Sequence, residues 1–262
     1  MSDFSLQGGI SVPETPLSII EHLGLMSREQ AEWAWYEIAG GVLSHYLVDQ
    51  RARLDAMLSW FYRDLGFSPR EQYFSLEAAS LAHGLLYRQG NSTVLATVIM
   101  LLAKQLDLTL EPILLPGQTL LCWKQGKQKL LLDPLSGEFI DRKRVHALVR
   151  GELGNAAPMK VAYVKPVSVK ALVSRMLQEL KAGAIVAQRF DVALECCNML
   201  IDWHPDDTLL IRERAFIAQQ LGANRQAEAD LRQFIELSPH DPVIELVKMQ
   251  LKELSQHHET LH

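Results

Sequence analysis

Ser92 is the residue best placed, by type and position, for nucleophilic chemistry. It lies in RQGNST (88–93), at the head of an apolar run from Thr93 to Leu106. A helix start presents unpaired N–H groups and the positive end of the helix dipole. A hydroxyl there is polarised, and a small anion could settle on Asn91 and Ser92, with help from Arg88. The same position is where Ser and Asn cap helices through a side-chain oxygen, and a cap by Ser92 or Asn91 is the commoner role. Two more polar pieces follow in order, PGQTLLCW (116–123) and LLDPLSGE (131–138). Gln118 and Asp133 could join Ser92 in a polar ligand pocket. Asp133 precedes Pro134, however, and Asp-Pro also simply begins a turn.

The other reactive groups lead elsewhere. Cys122, Cys196 and Cys197 are an odd set with two adjacent, which gives no disulfide framework. Cys196-Cys197 falls inside an expected helix, where small buried thiols are inert. The nine histidines show no spaced pattern with cysteine that suggests zinc. The terminal HHETLH, with His257, His258 and His262, could take up a metal opportunistically, but a frayed, solvated end is its expected role. No metal site and no cofactor are expected.

Charge and length narrow the function classes. In 262 residues, 26 Lys and Arg face 31 Asp and Glu, a net charge of −5. A pI near 6.0 argues against a nucleic-acid binder, which needs a basic surface to displace phosphate counterions. The longest apolar stretch, VLATVIMLLA (94–103), stops at Lys104, well short of the roughly 20 residues that cross a bilayer. The N-terminal MSDFSLQGGISVPETP lacks the basic and apolar blocks of a signal peptide. These features predict a cytoplasmic protein with free thiols and no membrane or nucleic-acid partner.

The elements that must position these groups change character along the chain. Residues 28–65 read as helices, the second with Leu54, Met57, Leu58, Phe61 and Leu65 on one stripe and Gly66 at its end. The run 93–106 is apolar nearly all round, as in a helix buried in a domain core. Two apolar runs then flank Lys124-Gln125-Gly126-Lys127, which predicts a β-hairpin. Met159–Val164 is a candidate third strand, and 151–158 a loop or part of a linker. Helices before strands predict an α+β domain over 1–165.

From 166 to 262 the pattern is all helical and repeats. Pro205 and Pro239 are 34 residues apart, as are Ala193 and Ala227, and Ile201 and Ile235. That period is the signature of tetratricopeptide repeats. Repeats are expected at about 174–207 and 208–241, with a capping helix at 242–256. Ala215 fills a small-residue position, whereas Lys181 occupies the equivalent position of the first repeat. On the usual register Arg212, Phe216 and Gln219 line a groove, where an Arg could hold a partner carboxylate. The bland alternative is that so short an array only buttresses the first domain.

As an ordered set, RQGNST, the buried helix, LPG-x-x-L and LDP with its following Gly resemble the SirB family. These are transglutaminase-like proteins with C-terminal tetratricopeptide repeats, and the resemblance runs from about residue 50 to the end. It implies a transglutaminase-like fold in which a Cys opens the buried helix, a His follows on a strand and an Asp on the next. Those positions fall on Ser92, Gln118 and Asp133, so only the orienting carboxylate survives. An amide does not titrate near neutrality and cannot act as general base. Without a base, a serine is a far weaker nucleophile than a thiol. Cys122 lies on the hairpin, where a thiol would face the site from the wrong side. The expectation is a non-catalytic adaptor or regulator that binds a protein or peptide through its repeats and a degenerate cleft. The alternatives are a hydrolase or acyl-transfer enzyme using Ser92 with an unrecognised base, or a cleft that binds a small molecule without turnover.

Overall fold

In the computed structural model, residues 9–126 and 128–259 are described, with side chains to Ser255. The chain divides into two compact units, Met1–Met176 and Leu177–His262.

Helices come first in the N-terminal unit: α1 (Glu14–His22), α2 (Arg28–Val42) and α3 (Gln50–Ser59). Leu54, Met57, Leu58 and Phe61 are buried, as their stripe predicts. The helix α3 widens at its end into a π-turn, Trp60–Asp64, and Gly66 then takes φ +74°. A two-residue parallel bridge joins β1 (Ser68–Pro69) to β2 (Gln89–Gly90), with α4 (Leu81–Tyr87) between them. The run that looked apolar all round is α5 (Ser92–Gln105), buried from Ser92 to Ile99 and again from Leu101 to Ala103. Arg53 secures its far end. That buried guanidinium donates to the carbonyls of Leu106 (2.6 Å) and Leu47 (2.6 Å), and lies over the Tyr46 ring.

Four antiparallel strands follow in sequence order: β3 (Leu110–Leu115), β4 (Gln118–Gln125), β5 (Gln128–Asp133) and β6 (Glu138–Ile140). Then comes α6 (Arg142–Leu153). Strand alternation sends Thr119, Leu121 and Trp123 to one face and Gln118, Leu120 and Cys122 to the other. The first face meets α5, where the Thr119 and Thr93 hydroxyls lie 2.8 Å apart. On the second, Ile113, Leu115, Leu120 and Cys122 pack with Val145 and Val149 of α6.

The expected strand at Met159–Val164 does not form. Val161–Val164 is a 3-10 turn, and the chain touches the edge of β3 only at an isolated Ile113–Pro166 bridge. Val167 N–H donates to the Pro112 carbonyl at 2.9 Å. Pro166 has no N–H to extend a ladder. The expected loop at 151–158 begins later than its composition suggested, because α6 continues to Leu153.

Five helices complete the chain: α7 (Val169–Val186), α8 (Phe190–Trp203), α9 (Thr208–Gln220), α10 (Asn224–Leu237) and α11 (Ile244–Glu259). The division between the units falls within α7. Helices α8 and α10 start and end 34 residues apart, and each stops just before its proline, with similar backbone angles at His204 and Ser238. Ala193, Ala215 and Ala227 are fully buried, so the helices approach closely. Lys181 is buried too, and its ammonium pairs with Glu213. Beside it, Arg214 grips the buried Asp230 with both arms, at 2.9 and 2.7 Å, and Gln226 donates to the same carboxylate. Asp230→Ala leaves Arg214 half-buried without its counter-charge and is expected to cost about 3 kcal/mol in urea unfolding. Arg214→Met/Asp230→Leu is expected to recover most of that loss, since it removes both charges.

Candidate functional site

The head of α5 is held by its surroundings on every side. Asn91, not Ser92, is the N-cap: its side-chain oxygen accepts from Val94 N–H at 2.9 Å. The Asn91 N–H in turn donates to Ala78 O at 2.8 Å. Gly90 has no side chain for a steric reason, since a Cβ there would stand 2.6 Å from Val94. Ser92 is fully buried. Its hydroxyl lies 2.6 Å from the Tyr73 hydroxyl and accepts from Thr119 N–H at 3.0 Å. Its own N–H donates to Tyr73 Oη at 3.3 Å. Neither partner of the hydroxyl is an imidazole, carboxylate or amine.

Gln118 and Asp133 are brought together, but on the far face of the sheet. The Gln118 amide donates to Asp133 at 2.8 Å, and the same carboxylate oxygen accepts from Leu135 N–H at 2.9 Å. Asp133 therefore also starts its turn. Leu131 pairs with Cys122 and Leu120 with Ile113, so Gln118 and Asp133 share the parity of the α6 face. Ser92 makes no hydrogen bond to Gln118 or Asp133; its hydroxyl meets the main chain of Thr119, one residue on, whose side chain faces α5. Gln118 instead opens with Arg144 and Glu152 onto a cleft of about 290 Å³ beside α6. Gly117, at φ +73°, makes the turn before it, and Glu152 lies across that glycine where a Cβ would stand. The cleft offers an amide, a guanidinium and a carboxylate for hydrogen bonding, and no hydroxyl, thiol or imidazole side chain lines it.

Burial pushes the Asp133 carboxyl above its ordinary range, against the pull of Leu135 N–H, Arg144 and Gln118. Tyr62 donates to Pro134 O at 2.7 Å, and burial raises its phenol far above the ordinary value. It remains a donor at any physiological pH.

None of the other candidate groups hydrogen-bonds to Ser92. His83 stacks on Tyr87 and approaches Arg70 at 3.5 Å; burial, then Arg70, lowers its pKa. The Arg88 guanidinium lies over the Phe67 ring at 5.3 Å. Cys122 is buried and its thiol is raised by burial. Burial pushes Cys196 up to about 12 and Cys197 up to about 11, so both stay protonated. No cluster of metal-ligating residues occurs among the described residues. The side chains of His257, His258 and His262 lie outside them.

On α9, Arg212, Phe216 and Gln219 fall at steps of four and three, on one face. Arg212 stacks over Phe234 at 5.4 Å, Phe216 is 44% exposed, and Gln219 accepts from Gln250 of α11 at 2.7 Å. The sequence reading missed Tyr73 and Thr119 as partners of Ser92. Tyr73 carries no signal in its polar segment, whereas Thr119 was recoverable from strand alternation.

Residues 29–178 match the transglutaminase-like superfamily, and residues 180–252 match the tetratricopeptide repeat. A UPF0162 protein of Vibrio cholerae is 34% identical over 234 residues, 86% of each chain. Protein SirB1 of Salmonella typhimurium is 27% identical over 218 residues, covering 82% of this chain and 81% of that protein. UPF0162 protein YchA of Escherichia coli K12 matches over the same shares at the same identity. No described helix is long and apolar enough to cross a membrane.

The raised carboxyl of Asp133 has a signed consequence. The folded state holds this proton where the unfolded chain has released it, so stability falls as pH rises from the ordinary carboxylate range through the raised value. Asp133→Asn keeps an oxygen for Gln118 and Leu135 but cannot ionise. Its unfolding free energy is expected to decline less over that rise in pH than the wild type's, as measured by urea titrations at stepped pH.

Proposed function

The chain belongs to the transglutaminase-like superfamily, and from that premise we propose that it works without catalysis, as an adaptor or regulator that binds a protein or peptide partner. The observation that carries this reading is the environment of Ser92. A nucleophilic serine needs a base within hydrogen-bond reach to take its proton. Here the hydroxyl is spent on Tyr73 and on a main-chain N–H. The position that would supply the base is an amide, and it is paired with Asp133 across the sheet. Tetratricopeptide repeats generally mediate protein–protein interaction, and they form the second half of the functional reading. The face of α9 with Arg212, Phe216 and Gln219 is the proposed contact. Phe216 supplies exposed aromatic surface of the kind enriched at binding hot spots. Arg212, held over Phe234, supplies a pre-oriented guanidinium for a carboxylate. The amide-lined cleft beside α6 is a second, polar contact point. Three unpaired thiols fit a reducing, cytoplasmic setting.

The test compares full-length tagged proteins captured from native cells, with mass spectrometry as readout. A specific partner is expected with wild type and with Ser92→Ala, and is expected to be lost with Phe216→Ala or Arg212→Glu. Ser92→Ala strands the Thr119 N–H and is expected to cost about 1–3 kcal/mol, so its folded state is checked first. The competing acyl-transfer reading predicts labelling of Ser92 by a serine-reactive probe. Labelling above the Ser92→Ala background, or partner binding indifferent to the α9 variants, would overturn the proposal.

A further inference from the structure

A large concave feature of the N-terminal unit belongs neither to Ser92 nor to the Gln118 cleft. It is a cavity of about 810 Å³ at the β5–β6 end of the sheet, closed by the start of α6 and by residues 159–164. That is the volume of an ordinary small-molecule site. Its floor is hydrocarbon: Leu131, Ile140, Val145 and Val164 line it and continue the core between sheet and α6. Its rim is basic, with Lys129, Arg142 and Lys160 all exposed around the mouth. Among the described residues none of these three makes an ion pair. The one acid in the lining, Asp141, is turned onto α6, where it accepts from Arg144 N–H at 2.8 Å.

An apolar floor under three cations that make no ion pair, Lys160 lying only over the Tyr163 ring at 5.8 Å, is a local reversal of the overall charge of −5. We propose that this cavity is a binding site for an anionic amphiphile, an alkyl carboxylate whose hydrocarbon fills the floor while its head group meets Lys129, Arg142 and Lys160. The hydrocarbon supplies the affinity, through the apolar area it removes from water. The cations select the sign of the head group. A peptide strand fits less well, because it brings amides to a floor that offers them no partners. The site is independent of the adaptor reading and stands or falls without it.

The probe is dodecanoate, titrated calorimetrically into the full-length protein below its micellar range, with dodecyltrimethylammonium as the control of opposite charge. Saturable one-site binding is expected for dodecanoate, weakened by added salt. Each of Lys129→Glu and Lys160→Glu is expected to weaken it about fivefold, and the double variant more, since both side chains are exposed pairing partners rather than core. A photoreactive alkyl carboxylate on the wild-type protein is expected to label Met159–Val164 or Leu130–Leu131, which decides the matter even where a variant folds poorly. Absence of saturable binding, equal affinity for the ammonium amphiphile, an unchanged double variant or labelling elsewhere would each overturn the proposal.

Discussion

Strand β4 is buried on both faces, and the rest of the N-terminal unit is arranged around that fact. Its odd-numbered residues Thr119, Leu121 and Trp123 serve the core against α5, and its even-numbered residues Gln118, Leu120 and Cys122 serve the core against α6. A pleated strand cannot change this assignment without a slip that turns every side chain over. A slip would put Leu121 and Trp123 where Leu120 and Cys122 pack against α6, and both cores would lose their fit at once. The register is therefore fixed by hydrophobic burial, and the polar groups take whichever face the register leaves them.

That constraint explains why the polar groups at the head of α5 and those beside α6 form two separate sets. Ser92 is satisfied from its own side, by Tyr73 and by the main chain of Thr119. Gln118 and Asp133 satisfy each other on the far side. Buried polar groups are costly unless paired, and each set closes on itself. The same economy appears in the repeats, where Lys181 meets Glu213 and Arg214 meets Asp230. Such pairs contribute little net stability but penalise any packing that separates them.

Much of this architecture is legible in the chain. The apolar run at 93–106 predicts a helix buried all round, and α5 is one. The 34-residue spacing of Pro205 and Pro239 predicts paired helices, and α8 and α10 repeat at that interval. Other elements leave weaker traces. Helix α6 has only Val145 and Val149 buried, too thin a stripe to stand out among Arg142, Lys143 and Arg144. The segment 159–164 has strand-like residues, yet a ladder needs donors on both chains, and Pro166, where the chain meets the β3 edge, has no N–H to give.

The sequence by itself determined the helix at 93–106, the hairpin and the repeat period, because these depend on residue type and local spacing. Even the face of Thr119 was within its reach, since Gln118 and Cys122 are four residues apart on one strand and must look the same way. Only the tertiary structure decided that Asn91 caps α5 while Ser92 turns to Tyr73, nineteen residues earlier in the chain. Only it could show Gln118 meeting Asp133 beside α6, or three scattered cations gathered around one apolar cavity. Those pairings join residues distant in sequence, and their geometry is set by how buried surfaces stack, which no local pattern records.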